Sequence, residues 1–292
     1  MKILVTGADG QLGQELPDVL EAAMPGITTY VGHKELDITD AGAVERYISE
    51  GGFTHVVNCA AYTAVDRAEE DKSTCTAVNV DGIRNIARLA EPLGLHIIHI
   101  STDYVYDGNS CRPYTEADKV SPLSHYGSTK RKGETSLLGL SPDAVIIRTS
   151  WLYSGKSGRN FPGAILRRAI QDGQLHVVAD QVGTPTDAKD LAAVIAVILA
   201  SPQWIPGIYN YSNEGVASWY DFAKAILRIG GLSDVKVMPI KSADYPVAAG
   251  RPVYAVLDKS LIKATYGIEI PHWEESLRRT MSLYGNDAFK NI

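Results

Sequence analysis

Tyr126 and Lys130 stand four residues apart in Ser124-His125-Tyr126-Gly127-Ser128-Thr129-Lys130, a spacing that predicts the start of a helix with both side chains on one face. A free tyrosine, with a pKa of about 10, is a poor acid–base group at neutrality. An ammonium beside it favours the phenolate, so Lys130 is expected to bring the Tyr126 pKa down towards the working range. Such a pair can protonate an alkoxide as hydride reaches a carbonyl carbon. The lysine can also hold a nicotinamide ribose and fix the geometry of transfer. Taken alone, Tyr-x-x-x-Lys is more often an exposed pair on a helix surface. The run Ile98-His99-Ile100-Ser101-Thr102-Asp103-Tyr104-Val105-Tyr106 adds hydroxyls at a strand end. There a Ser or Thr can bond a substrate carbonyl oxygen and share its proton with Tyr126, or simply cap a turn.

A third group opens the chain. Gly7-Ala8-Asp9-Gly10-Gln11-Leu12-Gly13 follows the first apolar run and precedes a helical pattern. Glycine there permits a sharp turn, lets backbone N–H groups approach a pyrophosphate and lets helix and strand pack closely. The spacing G-x-x-G-x-x-G departs from the commonest fingerprint, but its strand-to-helix context is the required one. NAD sites carry an Asp or Glu at the end of the second strand for the ribose 2′-hydroxyl. Here Gly32-His33-Lys34 stands instead, with Glu35 just beyond. Two cationic groups without a carboxylate suit a 2′-phosphate, so NADPH is the expected cofactor, with NADH second; a solvated loop is the bland alternative.

These residues need a scaffold that brings them to one edge. Apolar runs at 2–6, 28–31, 55–59, 96–100 and 144–148 read as strands buried on both faces. Helical patterns at 11–24, 41–50, 74–93 and 125–138 lie between them; in the third, Val80, Ile83, Ala87 and Ala90 share a face and Gly82 weakens the helix. The pattern is α/β, a doubly wound parallel sheet of Rossmann type with right-handed crossovers. The expected division is a dinucleotide-binding domain over 1–150, joined by 177–204, and a smaller C-terminal substrate lobe over 151–292. Helical patterns at 160–171 and 187–200 and shorter elements at 207–211, 219–229 and 235–238 fall in the second part, and the helix at 187–200 is apolar nearly all round.

Composition removes whole classes. Among 292 residues, 28 Lys and Arg against 34 Asp and Glu leave a net charge of −6, unlike a nucleic-acid binder. Apolar residues at 45% and charged residues at 21% suit a globular chain, and the longest apolar run, 191–200, is too short to span a membrane. No leader pattern precedes the first strand, and Cys59, Cys75 and Cys111 have no C-x-x-C spacing, so a reduced, cytoplasmic protein is expected. No metal is expected either. His96 and His99, three apart on a strand, point to opposite faces and read as core or strand-end residues. Asp66, Glu69, Glu70 and Asp71 read as a solvated acidic face. Glu15 with Asp187 or Asp190 would need separate elements to meet. Arg251, in a loop before Pro252, is either a grip for a diphosphate or a surface cation.

The order of glycine loop, strand-end Ser/Thr and Tyr-x-x-x-Lys resembles the extended short-chain dehydrogenase/reductases. Within them it resembles reductases of nucleotide-linked 4-keto-6-deoxysugars, over almost the whole length. The matching stretches are 7–13, 36–39 (Leu-Asp-Ile-Thr), 58–66 (Asn-Cys-Ala-Ala-Tyr-Thr-Ala-Val-Asp), 78–79, 101–108 (Ser-Thr-Asp-Tyr-Val-Tyr-Asp-Gly), 126–130, 148–151, 160–161, 180–186 and 251–252. The resemblance implies Tyr126 as proton donor, Lys130 as its partner and Thr102 tuning the transfer. It also implies Gly10, Gln11 and Leu12 at the pyrophosphate, Asp37 and Ile38 at the adenine, and Ala60, Ala61 and Tyr62 at the nicotinamide side. Thr102, Asp103 and Trp151 would then contact a dTDP-sugar. Relatives often carry an acidic residue where Gly32-His33-Lys34 stands. Dehydratases of the superfamily have Glu at the third position of Thr-Asp-Glu; here it is Tyr104, so the base for water elimination is missing. The expected partners are the sugar nucleotide and a second copy of the chain in a homodimer. Two alternatives stay open: an epimerase that retains NAD, and a non-catalytic dinucleotide-binding regulatory subunit.

Overall fold

Ile3, Leu4 and Val5 are completely buried, as a run of branched residues inside a two-sided sheet must be. The computed structural model describes residues 1–157 and 159–283; the C-terminal residues 284–292, assigned above to the second lobe, lie outside the described residues. Strands β1 (Ile3–Thr6), β2 (Thr28–Val31), β3 (His55–Asn58), β4 (His96–Thr102) and β5 (Val145–Thr149) pair in parallel in the order β2-β1-β3-β4-β5. A sixth parallel strand, Gly207–Tyr211, completes the sheet beside β5. The sequence pattern places that strand in the second lobe. It belongs to the first sheet, where its buried Asn210 is satisfied by a hydrogen bond from its Nδ2 to the Tyr114 carbonyl.

Two helical layers cover the sheet. Helix α1 (Gln11–Ala23) and the apolar helix Ala188–Ala200 pack on the face of Ile3, Val5, Val57, Ile98 and Val145. Helices α2 (Ala41–Gly51), α4 (Ile83–Ala87) and α6 (His125–Leu140) cover the face of Leu4, Val56, Ile97 and Ile146. The helix expected over 74–93 is broken into α3 (Lys72–Thr76), a wide π turn at Ala77–Gly82, α4 and α5 (Ala90–Leu93). The π turn carries Asn79, whose Oδ1 accepts from the Tyr62 N–H at 2.9 Å and whose Nδ2 donates to the Tyr62 carbonyl at 3.1 Å. The buried face read from Val80, Ile83, Ala87 and Ala90 survives the break. Gly82 serves close approach, since a Cβ there would stand 2.5 Å from Ile38 Cδ1.

A smaller assembly lies beside the carboxyl edge of the sheet. Helices Phe161–Asp172, Trp219–Ile229 and Trp273–Leu283 enclose Ile165, Leu166, Phe222, Ile226 and Leu277. A two-stranded parallel ribbon, Gln174–Val178 with Lys236–Ile240, flanks them. Among the described residues no helix is long and apolar enough to cross a membrane. Cys59, Cys75 and Cys111 are unpaired thiols.

Candidate active site

The chain leaves β1 on one side of the sheet and β3 on the other, so a crevice opens beyond their carboxyl ends, the usual ligand position in such sheets. Gly7 has φ +70°, and a Cβ on it would stand 2.5 Å from the Ala60 nitrogen; one on Gly13 would stand 2.3 Å from the Gly7 carbonyl. Only glycine lets this loop lie flat against the end of β3. Helix α1 begins at Gly10 with no side-chain cap, leaving its first N–H groups facing the crevice. Gln11 Oε1 is buried there without a hydrogen-bond partner. An uncapped helix start, a flat glycine cradle and an orphaned acceptor together fit a dinucleotide diphosphate with its ribose hydroxyls.

Helix α6 delivers the second part. Ser124 caps it, accepting from the Gly127 N–H at 3.1 Å. A Cβ on Gly127 would stand 2.3 Å from the Tyr104 carbonyl, so glycine allows the first turn to dock on the strand-end turn Asp103–Val105. This docking sets Tyr126 beside Thr102, to which its side chain is hydrogen-bonded. Thr102 Oγ1 also donates to Asp103 Oδ1 at 3.0 Å and accepts from the Tyr104 N–H at 3.2 Å. Lys130, 2% exposed, donates from Nζ to the Ile100 carbonyl at 2.6 Å.

The electrostatics correct one expectation. Burial raises the Tyr126 pKa above the free value, opposed by the bond to Thr102 and reinforced by Asp103; Lys130 is not among the strongest influences on it. The ammonium is turned to the Ile100 carbonyl, and its own pKa is brought down to about 8 by burial. Tyr126 is therefore held as a neutral phenol, the form that gives a proton rather than takes one. Asp103 is also buried; desolvation lifts its carboxyl to about 7 against the Thr102 bond, and Oδ2 has no partner.

A cleft of about 570 Å³ gathers Gly10, Gln11, Leu12, Gly13, Ala61, Thr102, Asp103, Tyr126, Lys130, Trp151 and Arg251 on its walls. Gly7, His33, Lys34, Asp37, Ile38, Ala60 and Tyr62 do not line it. Gly7 and Ala60 press on each other behind the loop. The Tyr62 backbone is tied to Asn79. Ile38 is a core residue, and Asp37 accepts from the Thr39 N–H and hydroxyl. His33 and Lys34 are exposed in the turn after β2, with His33 Nδ1 3.9 Å from Asp37 Oδ1.

Three features were hidden from spacing. The Asp9 carboxylate fills the place of a side chain at position 32, where a Cβ would meet Oδ2 at 2.1 Å, so the end of β2 does have a carboxylate beside it. Trp151, with φ +46°, stacks on Trp219 at a centroid distance of 3.5 Å, and Trp219 Nε1 donates to Gln181 Oε1. Arg251 is no surface cation: Nη2 meets Asp66 Oδ2 at 2.6 Å and Nη1 donates to the Tyr104 hydroxyl at 3.0 Å. Asp66 is thus part of a clasp and Glu69 Oε1 accepts from the His125 N–H, which revises the solvated acidic face. Arg251, Phe161 and Trp219 also wall an adjoining cavity of about 240 Å³. Glu15 meets Ser154, whereas Asp187 and Asp190 meet Arg279. Among the described residues no group of three or more His, Cys, Asp or Glu can hold a metal.

A parallel sheet switching direction at a glycine loop, with a strand-end Thr and a Tyr-x-x-x-Lys helix in one cleft, defines an extended short-chain dehydrogenase/reductase. More narrowly, the family model described as the RmlD substrate binding domain matches residues 1–285, and the chain belongs to that family. It is 38% identical over 300 residues to the dTDP-4-dehydrorhamnose reductase of Sinorhizobium fredii, covering 99% of this chain and all of that one. A solved dTDP-4-dehydrorhamnose reductase from Clostridium acetobutylicum superposes with a TM-score of 0.92 at 40% identity, over 97% of this chain and 99% of that one. The Bacillus anthracis dTDP-4-dehydrorhamnose reductase, solved in complex with NADP, gives 0.91 at 34% identity over the same shares.

Proposed function

We propose that this protein is an NADPH-preferring reductase that delivers hydride to C4 of a nucleotide-linked 4-keto-6-deoxysugar, converting dTDP-4-dehydrorhamnose to dTDP-rhamnose. The observation that carries this reading is the single cleft in which the glycine loop, Thr102, a protonated Tyr126 and Lys130 meet. The family and the names of its relatives supply the substrate class. When bound, the dinucleotide supplies the hydride. Gly10, Gln11, Leu12 and Gly13 would hold its diphosphate on the start of α1, and Lys130 its nicotinamide ribose. Residues 1–150 with 177–204 would serve the dinucleotide, and 151–292 mainly the sugar nucleotide.

The remaining chemistry belongs to the side chains. The sugar oxygen gains charge as C4 is reduced, and Tyr126 gives that oxygen its proton. A phenol with a raised pKa still suffices, because an alkoxide is a far stronger base than a phenolate. Thr102 aligns the phenol and bonds the same oxygen. Asp103 Oδ2, buried without a partner, would accept from a sugar hydroxyl. Trp151, braced by Trp219, forms the opposite wall, and the adjoining cavity beyond Arg251 would take the nucleotide end. Tyr104 is committed to Arg251 and supplies no carboxylate for dehydration. All these groups come from one chain, so a homodimer would add nothing to the chemistry. A cytoplasmic location is supported by the three unpaired thiols. Mixing the protein with NADPH and dTDP-linked keto-sugars is expected to consume the dinucleotide mole for mole with product, read as loss of absorbance. Sugar inversion without net oxidation would establish the epimerase instead, and no turnover on any keto-sugar the regulatory subunit.

The place of Asp9 makes cofactor choice a contest. His33 and Lys34 attract a 2′-phosphate, whereas the Asp9 carboxylate opposes it and suits a 2′-hydroxyl. Asp9→Asn is expected to raise the affinity for NADPH relative to NADH by roughly tenfold, about 1.4 kcal/mol. Fluorescence titration with both dinucleotides measures it, and an unchanged ratio removes Asp9 from the ribose pocket.

A further inference from the structure

We propose that His99 is a positioning residue for Lys130, accepting a hydrogen bond from its ammonium at Nε2 and so aiming the remaining N–H into the cleft. The inference rests on the reductase reading only for what Lys130 then does. His99 is 1% exposed, and its Nε2 lies 3.4 Å from Lys130 Nζ. The other anchor of the ammonium is the Ile100 carbonyl at 2.6 Å. An ammonium has three N–H bonds and no lone pair. With two of them tied to β4, the third is free towards the cleft that Lys130 lines.

The ring is itself held in a row of polar side chains. Thr6, Asn58 and His99 are register partners on three neighbouring strands, Thr6 beside Asn58 and Asn58 beside His99. All three are buried on the face that α6 covers. Asn58 Nδ2 lies 3.0 Å from His99 Nδ1 at one end, and at the other Asn58 Oδ1 accepts from Thr6 Oγ1 at 2.6 Å. A neutral imidazole has one N–H and one lone pair. Burial and the Lys130 charge push the His99 pKa well below its ordinary value, so the ring is neutral. If Nε2 accepts from the ammonium, the proton sits on Nδ1, and the Asn58 amide takes the reverse of this orientation, with its oxygen at Nδ1–H and its NH2 at Thr6. The row thereby ties the tautomer of His99 to the root of the glycine loop, since Thr6 directly precedes Gly7.

The consequence is a pH dependence. Around Lys130 stand His99 from β4, Tyr126 and Glu134 from α6, Cys59 after β3 and Cys75 from α3, with Asp103 beyond Tyr126. Glu134 supports the ammonium through charge, although it is paired with Arg148 and Arg131. His99 is the neutral acceptor in that set. Removing it withdraws support from the charged form, so the Lys130 pKa falls and the ammonium is lost at lower pH.

With the Lys130 pKa brought down to about 8 by burial, the parent is expected to show an alkaline limb of kcat/KM there, and His99→Phe is expected to move it to lower pH by about one unit, a tenfold loss of proton affinity. His99→Gln, with a carbonyl oxygen as acceptor, is expected to bring the limb back. A His99→Phe variant with the parental limb, whatever its rate, overturns the proposal, because a merely structural role lowers rate or stability without moving a limb. Histidine 15N NMR on the unloaded parent decides the matter even if His99→Phe does not fold. The expected spectrum has Nδ1 protonated and Nε2 bare, with the Nε2 signal titrating as Lys130 loses its charge and that titration absent in Lys130→Met. A protonated Nε2 throughout the pH range sinks the proposal. The NMR result is independent of any substrate, so a failed turnover assay would count against the reductase reading alone.

Discussion

Tyr126→Phe is expected to lower kcat by about 10²- to 10⁴-fold, the usual contribution of a positioned acid. The ring keeps its place, because its edge-on contact with Tyr104 and its burial do not depend on the hydroxyl. What is lost is the proton for the sugar oxygen, with no other neutral acid in contact with Thr102 at pH 8. Asp103 is close, but its carboxyl is ionised above about 7 and its Oδ1 is engaged by Thr102. NADPH affinity, measured by fluorescence titration, is expected to stay within about twofold. Retention of near-normal turnover would remove Tyr126 from the chemistry. Because burial keeps the phenol neutral well above neutrality, the forward reaction should show no alkaline limb from Tyr126 in the working range. A depressed phenol pKa, which the Tyr126–Lys130 spacing alone suggests, would have placed a second limb near neutrality.

That contrast marks what the sequence can convey. Four-residue spacing puts Tyr126 and Lys130 on one helix face, and the structure has both on one cleft. It carries no information on where the ammonium points, which is decided by Ile100 and His99 on another element. The five apolar strands were legible because burial on both faces leaves an unbroken run. The sixth, 207–211, was legible as an element but not as a member of this sheet, because Gly207–Tyr211 buries Asn210, satisfied by Tyr114 far away in sequence. Likewise the π turn at Ala77–Gly82 answers the Tyr62 backbone, a partner that helical periodicity does not encode. The charge at the end of β2 is not legible from spacing for the same reason: the carboxylate beside Gly32 comes from Asp9, in the glycine loop. A signal for His99 did exist. Thr6, Asn58 and His99 are polar residues at the ends of otherwise apolar strands, and parallel register sets them side by side.

Asp103→Asn should separate stability from substrate binding, with opposite signs. Asp103 is 2% exposed, and its folded pKa of about 7 lies above the ordinary carboxyl value. A raised carboxyl pKa means that the fold disfavours the ionised form. The cost is absent below about pH 4, where folded and unfolded chains are both protonated, grows between 4 and 7, and is complete above 7. Three pKa units correspond to roughly 4 kcal/mol at most. The amide is never ionised, so the variant is expected to melt several degrees higher than the parent at pH 8.5 and close to it at pH 4.5. Asn can still accept from Thr102 through its oxygen, which keeps the Tyr126 alignment. Its NH2 then faces the cleft where the parent presents a bare oxygen, so a sugar hydroxyl that donated to Oδ2 loses its acceptor. The KM for the sugar nucleotide should rise about 10- to 100-fold, the loss of a hydrogen bond to a charged group, with a smaller change in kcat. Melting curves that run parallel at all pH values would mean that Asp103 ionises without cost in the fold. An unchanged KM would mean that Oδ2 receives no part of the sugar.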